Sequence, residues 1–239
     1  MTATVLVTGA GSGIGAALAA RLHARGDRLV LPARSASRAA DLAARFAGAS
    51  TPVLDLADLA EPARLEAALA AVEVPDRLDA LVHCAGVVDL APVASATLAS
   101  WREQVDVNLL APAMLTRHAL PALRAARGTV VLVNSTAGIN ANAGWGAYAA
   151  SKFGLHALAD SLRAEEAPHG VRVTTVFPSR TATPMQERVH AQEGSDYDAA
   201  RWIRAETVAE SILGVLDLPA DATVTDLVLR PGPGGNAVG

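Results

Sequence analysis

The feature that most constrains the fold is an alternation of short β-branched runs with longer Ala-, Leu- and Arg-rich segments of helical periodicity. This alternation is typical of βαβ units and predicts a parallel sheet. Several strands read as continuous apolar runs, as in Val130–Val133, which indicates that both faces of the sheet are covered. We therefore expect an α/β fold in which helices flank one doubly wound parallel sheet of about seven strands. The predicted strands are Thr4–Thr8, Arg28–Leu31, Thr51–Leu54, Ala80–His83, Thr129–Asn134, Arg172–Phe177 and Thr223–Leu229.

The helical segments between these strands show no internal repeat and no interdomain linker. We expect a single domain over residues 1–230, followed by a flexible Gly/Pro-rich tail at 231–239. One long polar stretch, residues 178–205, is predicted to be irregular and to cover the substrate. Pro112 and Pro121 should bend or divide the long fourth helical segment. The predicted helices are Gly13–Arg25, Ser37–Phe46, Pro62–Val72, Leu98–Arg127, Ala147–Ala167 and Glu206–Leu218.

The overall composition excludes several classes of function. The formal net charge of −4 argues against nucleic acid as the main partner, and no apolar run is long enough to cross a membrane. Strand-like sequence begins at Ala3, which leaves no room for a signal peptide, so we expect a cytoplasmic protein. The single cysteine, Cys84, lies in an apolar stretch and is interpreted as a buried structural thiol. No histidine has Cys or carboxylate neighbours at metal-ligand spacing, so no metal site is predicted.

A glycine-rich turn directly follows the first predicted strand and opens a helix. Glycines permit a tight turn, and the free N–H groups at a helix N-terminus attract a pyrophosphate. The spacing is G-x-x-x-G-x-G, with Gly9, Gly13 and Gly15 at the required positions. Because strand, turn and helix follow in the right order, we predict dinucleotide phosphate binding rather than a purely structural turn. The predicted contacts are Thr8, Gly9, Gly11, Ser12, Gly13, Ile14 and Gly15.

The end of the second predicted strand indicates which dinucleotide binds. NAD-binding turns are usually followed, about 20 residues on, by a carboxylate that holds the ribose hydroxyls. No carboxylate occurs there, since Asp27 comes too early and the strand is followed by Arg34 and Ser35. These two side chains could pair with a 2′-phosphate, although Arg34 could also be a solvated residue opening a helix. The sequence favours NADP(H) over NAD(H).

The chain contains a single lysine, Lys152, and it lies four residues after Tyr148. All the other basic side chains are arginine, so a specific reason for a lysine is expected here. An ammonium is a compact charge that can relay protons, whereas a guanidinium is a fixed fork that stays protonated. The alternative is an exposed lysine one helical turn from a core tyrosine.

These residues together resemble the classical short-chain dehydrogenase/reductase family over nearly the whole chain. The resemblance implies a Rossmann-type fold and a site in which Asn108, Ser135, Tyr148 and Lys152 are the catalytic residues. Ser135 stands 13 residues before Tyr148, which is similar to the serine–tyrosine spacing of the family. The implied further cofactor contacts are Asp55 and Leu56 at the adenine, Ala85 and Gly86, Asn108, Tyr148 and Lys152, and Pro178 and Thr183 near the nicotinamide.

The chemistry implied by this resemblance is reversible NADP(H)-dependent hydride transfer between the nicotinamide and a carbonyl or secondary alcohol. Tyr148 would act as the acid or base. A cation about 4 Å away favours phenolate by roughly 4 kcal/mol before desolvation, so Lys152 is expected to lower the pKa of Tyr148. Ser135 would orient the substrate oxygen, and Asn108 would position a water in the proton relay.

Two departures from the family pattern stand out. His83 and Cys84 replace two asparagines that brace the cofactor floor, while Ala85 and Gly86 remain. Ser179 stands where the family usually has glycine, at an expected strain of about 1–2 kcal/mol if that backbone is left-handed. Trp145 and Trp202 could line a substrate pocket or serve only in packing.

The helix that carries Tyr148 also bears on assembly. Ala149, Phe153 and Ala157 would be exposed in a monomer, so we expect a homodimer or homotetramer. Two other functions remain open at this point. A protein that binds NADP(H) without turnover would leave the acid/base tyrosine without a role. A methyltransferase would need a carboxylate after the second strand. Neither the substrate nor the preferred direction follows from the sequence.

Overall fold

The structure is a computed structural model that describes residues 2–232. Its main sheet has six strands, which are all parallel and lie in the order β2-β1-β3-β4-β5-β8. The strands of this sheet are β1 (Thr4–Thr8), β2 (Arg28–Val30), β3 (Ala80–His83), β4 (Thr129–Val133), β5 (Arg172–Pro178) and β8 (Asp226–Leu229). A separate two-stranded parallel sheet is formed by β6 (Thr181–Ala182) and β7 (Ile203–Arg204). The α/β, doubly wound class predicted from the sequence is confirmed.

Helices cover both faces of the main sheet and bury two separate apolar clusters. Successive strand residues point to opposite faces, so that Val5 and Val7 join one cluster while Leu6 joins the other. One cluster includes Leu18 and Ile212, and the other includes Leu115 and Leu155. The helices are α1 (Gly13–Arg25), α2 (Ala36–Arg45), α3 (Leu65–Ala70), α4 (Leu98–Val105), α5 (Ala111–Ala126), α6 (Gly146–Glu166), α7 (Pro184–Glu193) and α8 (Ala205–Leu216).

The predicted strand Thr51–Leu54 does not form, so the sheet has six strands rather than seven. This part of the chain makes only isolated bridges, from Ser50 to Val30 in β2 and from Val53 to Ala33 beyond it. Pro52 lies between these bridges and has no N–H to donate to a ladder. The pairing with β2 therefore stays too short to count as a strand.

Two further predictions from the sequence need correction. The polar stretch at 178–205 is not irregular, because β6, α7, a 3₁₀ turn at Ala199–Arg201 and β7 occupy most of it. The long fourth helical segment divides at a π-helical turn, Asp106–Leu110, that separates α4 from α5, while Pro121 lies inside α5. The prediction of a flexible tail concerns residues that, from 233 onward, lie outside the described part of the chain.

Helix α6 is exposed on less of its surface than predicted. Ala149 is buried, whereas Phe153 remains 44% exposed and Ala157 is also exposed. None of the helices within residues 2–232 is long and apolar enough to cross a membrane.

The order of the strands determines where a site can form. After β1 the chain passes to β2 on one side of it and then to β3 on the other side. The loops that leave β1 and β3 therefore diverge, and the crevice between them lies at the carboxyl ends of the strands. Thr8 and His83, the last residues of these two strands, are direct neighbours in the register.

Gly9 allows these two loops to approach each other closely. Its φ is +72°, and a Cβ added there would lie 2.7 Å from the Ala85 nitrogen. That contact is with backbone, which has little freedom to move. Gly11 has no positive φ, and a Cβ there would meet nothing within 4 Å.

We predict that Gly9→Ala lowers the free energy of unfolding by about 2–4 kcal/mol, because it adds backbone strain to a clash with Ala85. Urea unfolding followed by circular dichroism measures the loss. Gly11→Ala is the matched control and should change stability by less than about 0.5 kcal/mol. Equal effects of the two variants would contradict this interpretation of the turn.

Candidate active site

A cavity of about 500 Å³ opens at the carboxyl ends of the parallel strands. The loops after β1, β3, β4 and β5 and the first turns of α6 and α7 line it. The predicted site residues that line it are Gly9, Ser12, Gly13, Ile14, Ala85, Gly86, Ser135, Tyr148, Lys152, Pro178 and Thr183. The predicted site residues outside this lining are Thr8, Gly11, Gly15, Arg34, Ser35, Asp55, Leu56 and Asn108.

The glycine turn forms one wall of the cavity. Gly9 and Gly13 both have positive φ, and a Cβ at Gly13 would lie 3.0 Å from a methyl carbon of Thr183. Thr8 fixes the turn to the neighbouring loop, since its hydroxyl accepts a hydrogen bond from the Ala85 amide at 3.2 Å. Ser12 caps α1 in extended conformation without a side-chain hydrogen bond to the helix. The first N–H groups of α1 are therefore left to bind an anionic group.

The residues predicted to choose the nucleotide lie beyond this cavity, at the end of β2. Arg34 is exposed and makes no ion pair with the described residues. Ser35 caps α2, where its hydroxyl accepts from the Arg38 amide at 3.4 Å. Asp55 follows the segment that is bridged to Ala33, and one of its carboxylate oxygens accepts from the Ala57 amide at 3.1 Å. Arg34 and Ser35 on one side and Asp55 on the other thus follow two neighbouring segments that are bridged at Ala33 and Val53.

Tyr148 and Lys152 lie on α6, one turn apart, and both are almost completely buried. The Lys152 ammonium donates a hydrogen bond to the Val133 carbonyl at 3.0 Å and lies 5.8 Å from the centre of the Tyr148 ring. The alternative of an exposed lysine is therefore excluded. Ser135 follows β4, and its hydroxyl oxygen accepts from the Ala137 amide at 3.1 Å. Because that bond uses a lone pair, the hydroxyl proton of Ser135 remains available to donate.

Burial shifts the pKa values of both α6 residues. It raises the pKa of Tyr148 to about 12, an effect that a hydrogen bond with Ser135 opposes. It lowers the pKa of Lys152 to about 8. The expectation that Lys152 lowers the pKa of Tyr148 is therefore wrong, because desolvation raises that pKa and the opposing effect comes from Ser135. At neutral pH the phenol is a proton donor, while the lysine is within reach of losing its proton.

Asn108 lies in the π-helical turn and is fully buried behind the cavity wall. Its side-chain oxygen accepts from the Val87 amide at 2.9 Å. Its side-chain nitrogen donates to the Val87 carbonyl at 2.9 Å and to the Ser151 hydroxyl at 3.0 Å. Since the amide is already committed to these partners, it braces the loop after β3. The role of Asn108 toward a water stays a prediction.

His83 and Cys84, the two residues that depart from the family pattern, place uncharged side chains under the cavity. The His83 ring bonds to the Thr116 hydroxyl at 2.9 Å, and burial, with a smaller effect of Lys152, lowers its pKa to about 3. Burial likewise raises the pKa of the Cys84 thiol to about 12, although Lys152 opposes that shift. Cys84 lines the cavity as an unreactive neutral thiol rather than lying fully inside the core.

Ser179 causes no strain. Among the described residues, Arg127 is the one non-glycine residue with positive φ, so the backbone of Ser179 is not left-handed. Its amide donates to the Leu229 carbonyl at 2.8 Å, which ties the loop after β5 to β8. No group of three or more His, Cys, Asp or Glu within residues 2–232 could hold a metal ion.

Helix α7 lies within the stretch that was predicted to cover the substrate, and it lines the cavity as a regular helix rather than as the expected irregular loop. Gln192 crosses to the opposite wall, where it donates to the Asp89 carboxylate at 3.1 Å and accepts from the Leu90 amide at 3.2 Å. Arg180 forms two hydrogen bonds with Glu193, at 2.7 and 2.8 Å. Arg180 lies inside the segment Pro178–Thr183 singled out in the sequence, but nothing in that pattern separated it from the other charged residues of the stretch.

Trp145 and Trp202 have different positions. Trp145 lines the cavity, and its ring packs edge-on against Tyr148 at 5.8 Å between centres. Trp202 does not line the cavity but stacks beneath Arg180, whose guanidinium carbon lies 5.5 Å from the Trp202 ring. Trp145 is therefore part of the cavity wall, whereas Trp202 packs against Arg180 from outside it.

Comparison with known proteins agrees with this geometry. The sequence model of short chain dehydrogenases matches residues 3–194. Serine 3-dehydrogenase of Agrobacterium fabrum is 32% identical over 237 residues, with 97% of this chain and 94% of that protein covered. Glycine betaine reductase of Emericella nidulans is 32% identical over 95% of this chain, but the chain spans only 18% of that protein's length.

The solved structures give the same result. The closed form of a serine dehydrogenase complexed with NADP⁺ superposes with a TM-score of 0.83 and 25% identity, covering 95% of this chain and 94% of that one. The chain belongs to the short-chain dehydrogenase/reductase family.

Proposed function

We propose that the protein catalyses reversible NADP(H)-dependent hydride transfer between the nicotinamide and a carbonyl or secondary alcohol substrate. The observation that carries this proposal is that Ser135, Tyr148 and Lys152 share one cavity with the glycine turn. A protein that only binds a dinucleotide has no use for a buried ammonium one helical turn from a buried phenol. Membership of a family of oxidoreductases supports the same reaction class.

The cofactor proposal rests on the shape of the cavity wall. Gly9, Gly13 and Gly15 let the turn pack closely against neighbouring protein atoms, and the turn leads into the N-terminus of α1, whose free N–H groups would bind a pyrophosphate. Arg34 and Ser35 would hold the 2′-phosphate, while Asp55 and Leu56 would lie at the adenine. Pro178 and Thr183 would meet the nicotinamide, and Lys152 its ribose. The similar structure of a serine dehydrogenase complexed with NADP⁺ supports the choice of dinucleotide.

The chain's own residues would handle the proton and the substrate oxygen. A bound nicotinamide would supply the hydride in reduction. Tyr148, protonated at neutral pH because burial raises its pKa to about 12, would donate a proton to the developing alkoxide. Ser135 would donate a second hydrogen bond to that oxygen and orient it. Lys152, whose pKa is about 8, would return a proton to Tyr148 afterwards.

The test follows NADPH absorbance against a panel of ketones, aldehydes and β-ketoacyl thioesters. We expect turnover of at least one class with NADPH and an at least tenfold lower kcat/KM with NADH, because Arg34 favours a 2′-phosphate by about 1.4 kcal/mol or more. Replacing Arg34 by Asp should lower kcat/KM for NADPH about 100-fold and leave that for NADH unchanged or higher. Arg45→Asp, the same charge change at the other end of α2, is the matched control and should leave both values unchanged.

Two results of this test would contradict the proposal. NADPH binding without turnover of any panel member would favour a silent nucleotide sensor. Equal loss with both cofactors in Arg34→Asp would assign that residue a structural role.

We further propose that the protein assembles as a homodimer or homotetramer through α6 and its neighbour α5. Phe153 on α6 is 44% exposed, and Leu110, the last residue of the π-helical turn before α5, is 38% exposed, so both would leave apolar surface uncovered in a monomer. Sedimentation velocity at micromolar concentration should give a dimer or tetramer, and Phe153→Glu should shift it to monomer. A monomeric wild-type protein would contradict the proposal.

A further inference from the structure

The cavity is cationic although the chain as a whole is acidic. The sequence has 24 Asp and Glu against 20 Lys and Arg, yet none of the described residues that line the cavity is Asp or Glu. Its lining instead includes Lys152, Arg180, Arg188 and Arg230. A dinucleotide accounts for part of this positive charge, but one of these cations, Arg180, lies near Trp145, whose ring packs against that of Tyr148.

Arg180 is held rigidly. Its two terminal nitrogens bond to the two carboxylate oxygens of Glu193, which lies outside the cavity lining. Its guanidinium carbon lies 6.0 Å from the ring of Trp145 and 5.5 Å from the ring of Trp202, between the two indoles. A guanidinium fixed in this way loses little freedom when it binds a further group.

One edge of this guanidinium remains unused. Arginine has five N–H groups, and Glu193 takes one from each terminal nitrogen. The Nε–H and the outer N–H groups make no hydrogen bond with residues 2–232. Nε and an adjacent Nη form a second fork of donors whose spacing matches the two oxygens of a carboxylate.

The position of this fork relates it to the reacting group. Trp145 lies near both groups, with its ring 6.0 Å from the Arg180 guanidinium carbon and 5.8 Å from the Tyr148 ring. The guanidinium and the phenol that would protonate the substrate oxygen thus share one indole as a neighbour. Asn140 and Asn142 also line the cavity and could hydrogen-bond polar groups of a substrate.

We propose that Arg180 binds a carboxylate of the substrate, so that the enzyme acts on short oxo acids and their hydroxy acid counterparts rather than on neutral ketones. Glu193 orients Arg180 from behind, and Trp145 lies near both the guanidinium and Tyr148. This inference rests on the proposed hydride transfer at Tyr148, but the anion site can be tested without turnover.

The kinetic test pairs 2-oxo, 3-oxo and 4-oxo acids with their uncharged amides, using NADPH as reductant. Wild type should prefer the best acid over its amide by about 30- to 100-fold in kcat/KM, the range expected for a charge-assisted bidentate pair. Arg180→Gln should remove this preference mainly through KM, while its activity on the amide changes by less than about threefold.

Arg201→Gln is the matched control. Arg201 also stacks on Trp202, with its guanidinium carbon 5.6 Å from the ring, but it does not line the cavity. This variant should keep the wild-type preference for acids. Equal turnover of acids and amides by wild type would overturn the proposal. Equal losses of activity on the acid and on the amide in Arg180→Gln would also overturn the proposal. The Arg180–Glu193 pair would then serve only to hold α7 in place over the cavity.

A binding measurement separates this proposal from the reaction itself. Malonate, succinate and 3-hydroxybutyrate are titrated calorimetrically into the protein, with malonamide as the uncharged comparison. At least one acid should bind wild type and Arg201→Gln, and its affinity should fall at least tenfold in Arg180→Gln. Binding without turnover of any oxo acid would refute the proposed reaction but not the anion site. Absence of binding by all three acids, or binding that is indifferent to Arg180, would refute the anion site.

Discussion

The buried ammonium of Lys152 is the constraint on which the rest of the site depends. Removing an ammonium from water is unfavourable, and this one has the Val133 carbonyl as its hydrogen-bond acceptor at 3.0 Å. Its pKa falls from 10.5 to about 8, so the unfolded chain binds this proton more tightly than the folded one. That difference destabilises the fold by about 3 kcal/mol at neutral pH, and the penalty fades as the pH rises from about 8 to 10.5.

Three titratable groups near Lys152 are uncharged at neutral pH. His83 is neutral because burial lowers its pKa to about 3, and the Cys84 thiol stays protonated because burial raises its pKa to about 12. Tyr148 also stays protonated. A residue that reduces stability without a compensating carboxylate is typical of a functional site. The same property explains why an Arg-rich chain has a lysine at this position.

Sequence patterns predicted the parts of the site that depend on local chemistry. The glycine turn needs positive φ at Gly9 and Gly13, and a helical spacing of four residues brings Tyr148 and Lys152 to one face. What could not be predicted depends on long-range packing. Pro52 interrupts the seventh predicted strand. Asn108 lies in a π-helical turn and hydrogen-bonds with Val87 and Ser151. Arg180 differs from the other charged residues of its stretch because it pairs with Glu193 beside the cavity. The balance between desolvation and attraction at Tyr148 also depends on burial, which the sequence does not give.

The most direct test of the central claim is a single-turnover measurement of hydride transfer with NADPH in wild type and Tyr148→Phe, using a substrate that wild type turns over. We predict that Tyr148→Phe keeps its fold and that its NADPH affinity stays within about threefold of the wild-type value. The rate of hydride transfer should fall by about 100- to 10,000-fold, the contribution of a general acid. A Tyr148→Phe enzyme that transfers hydride at the wild-type rate would contradict this claim.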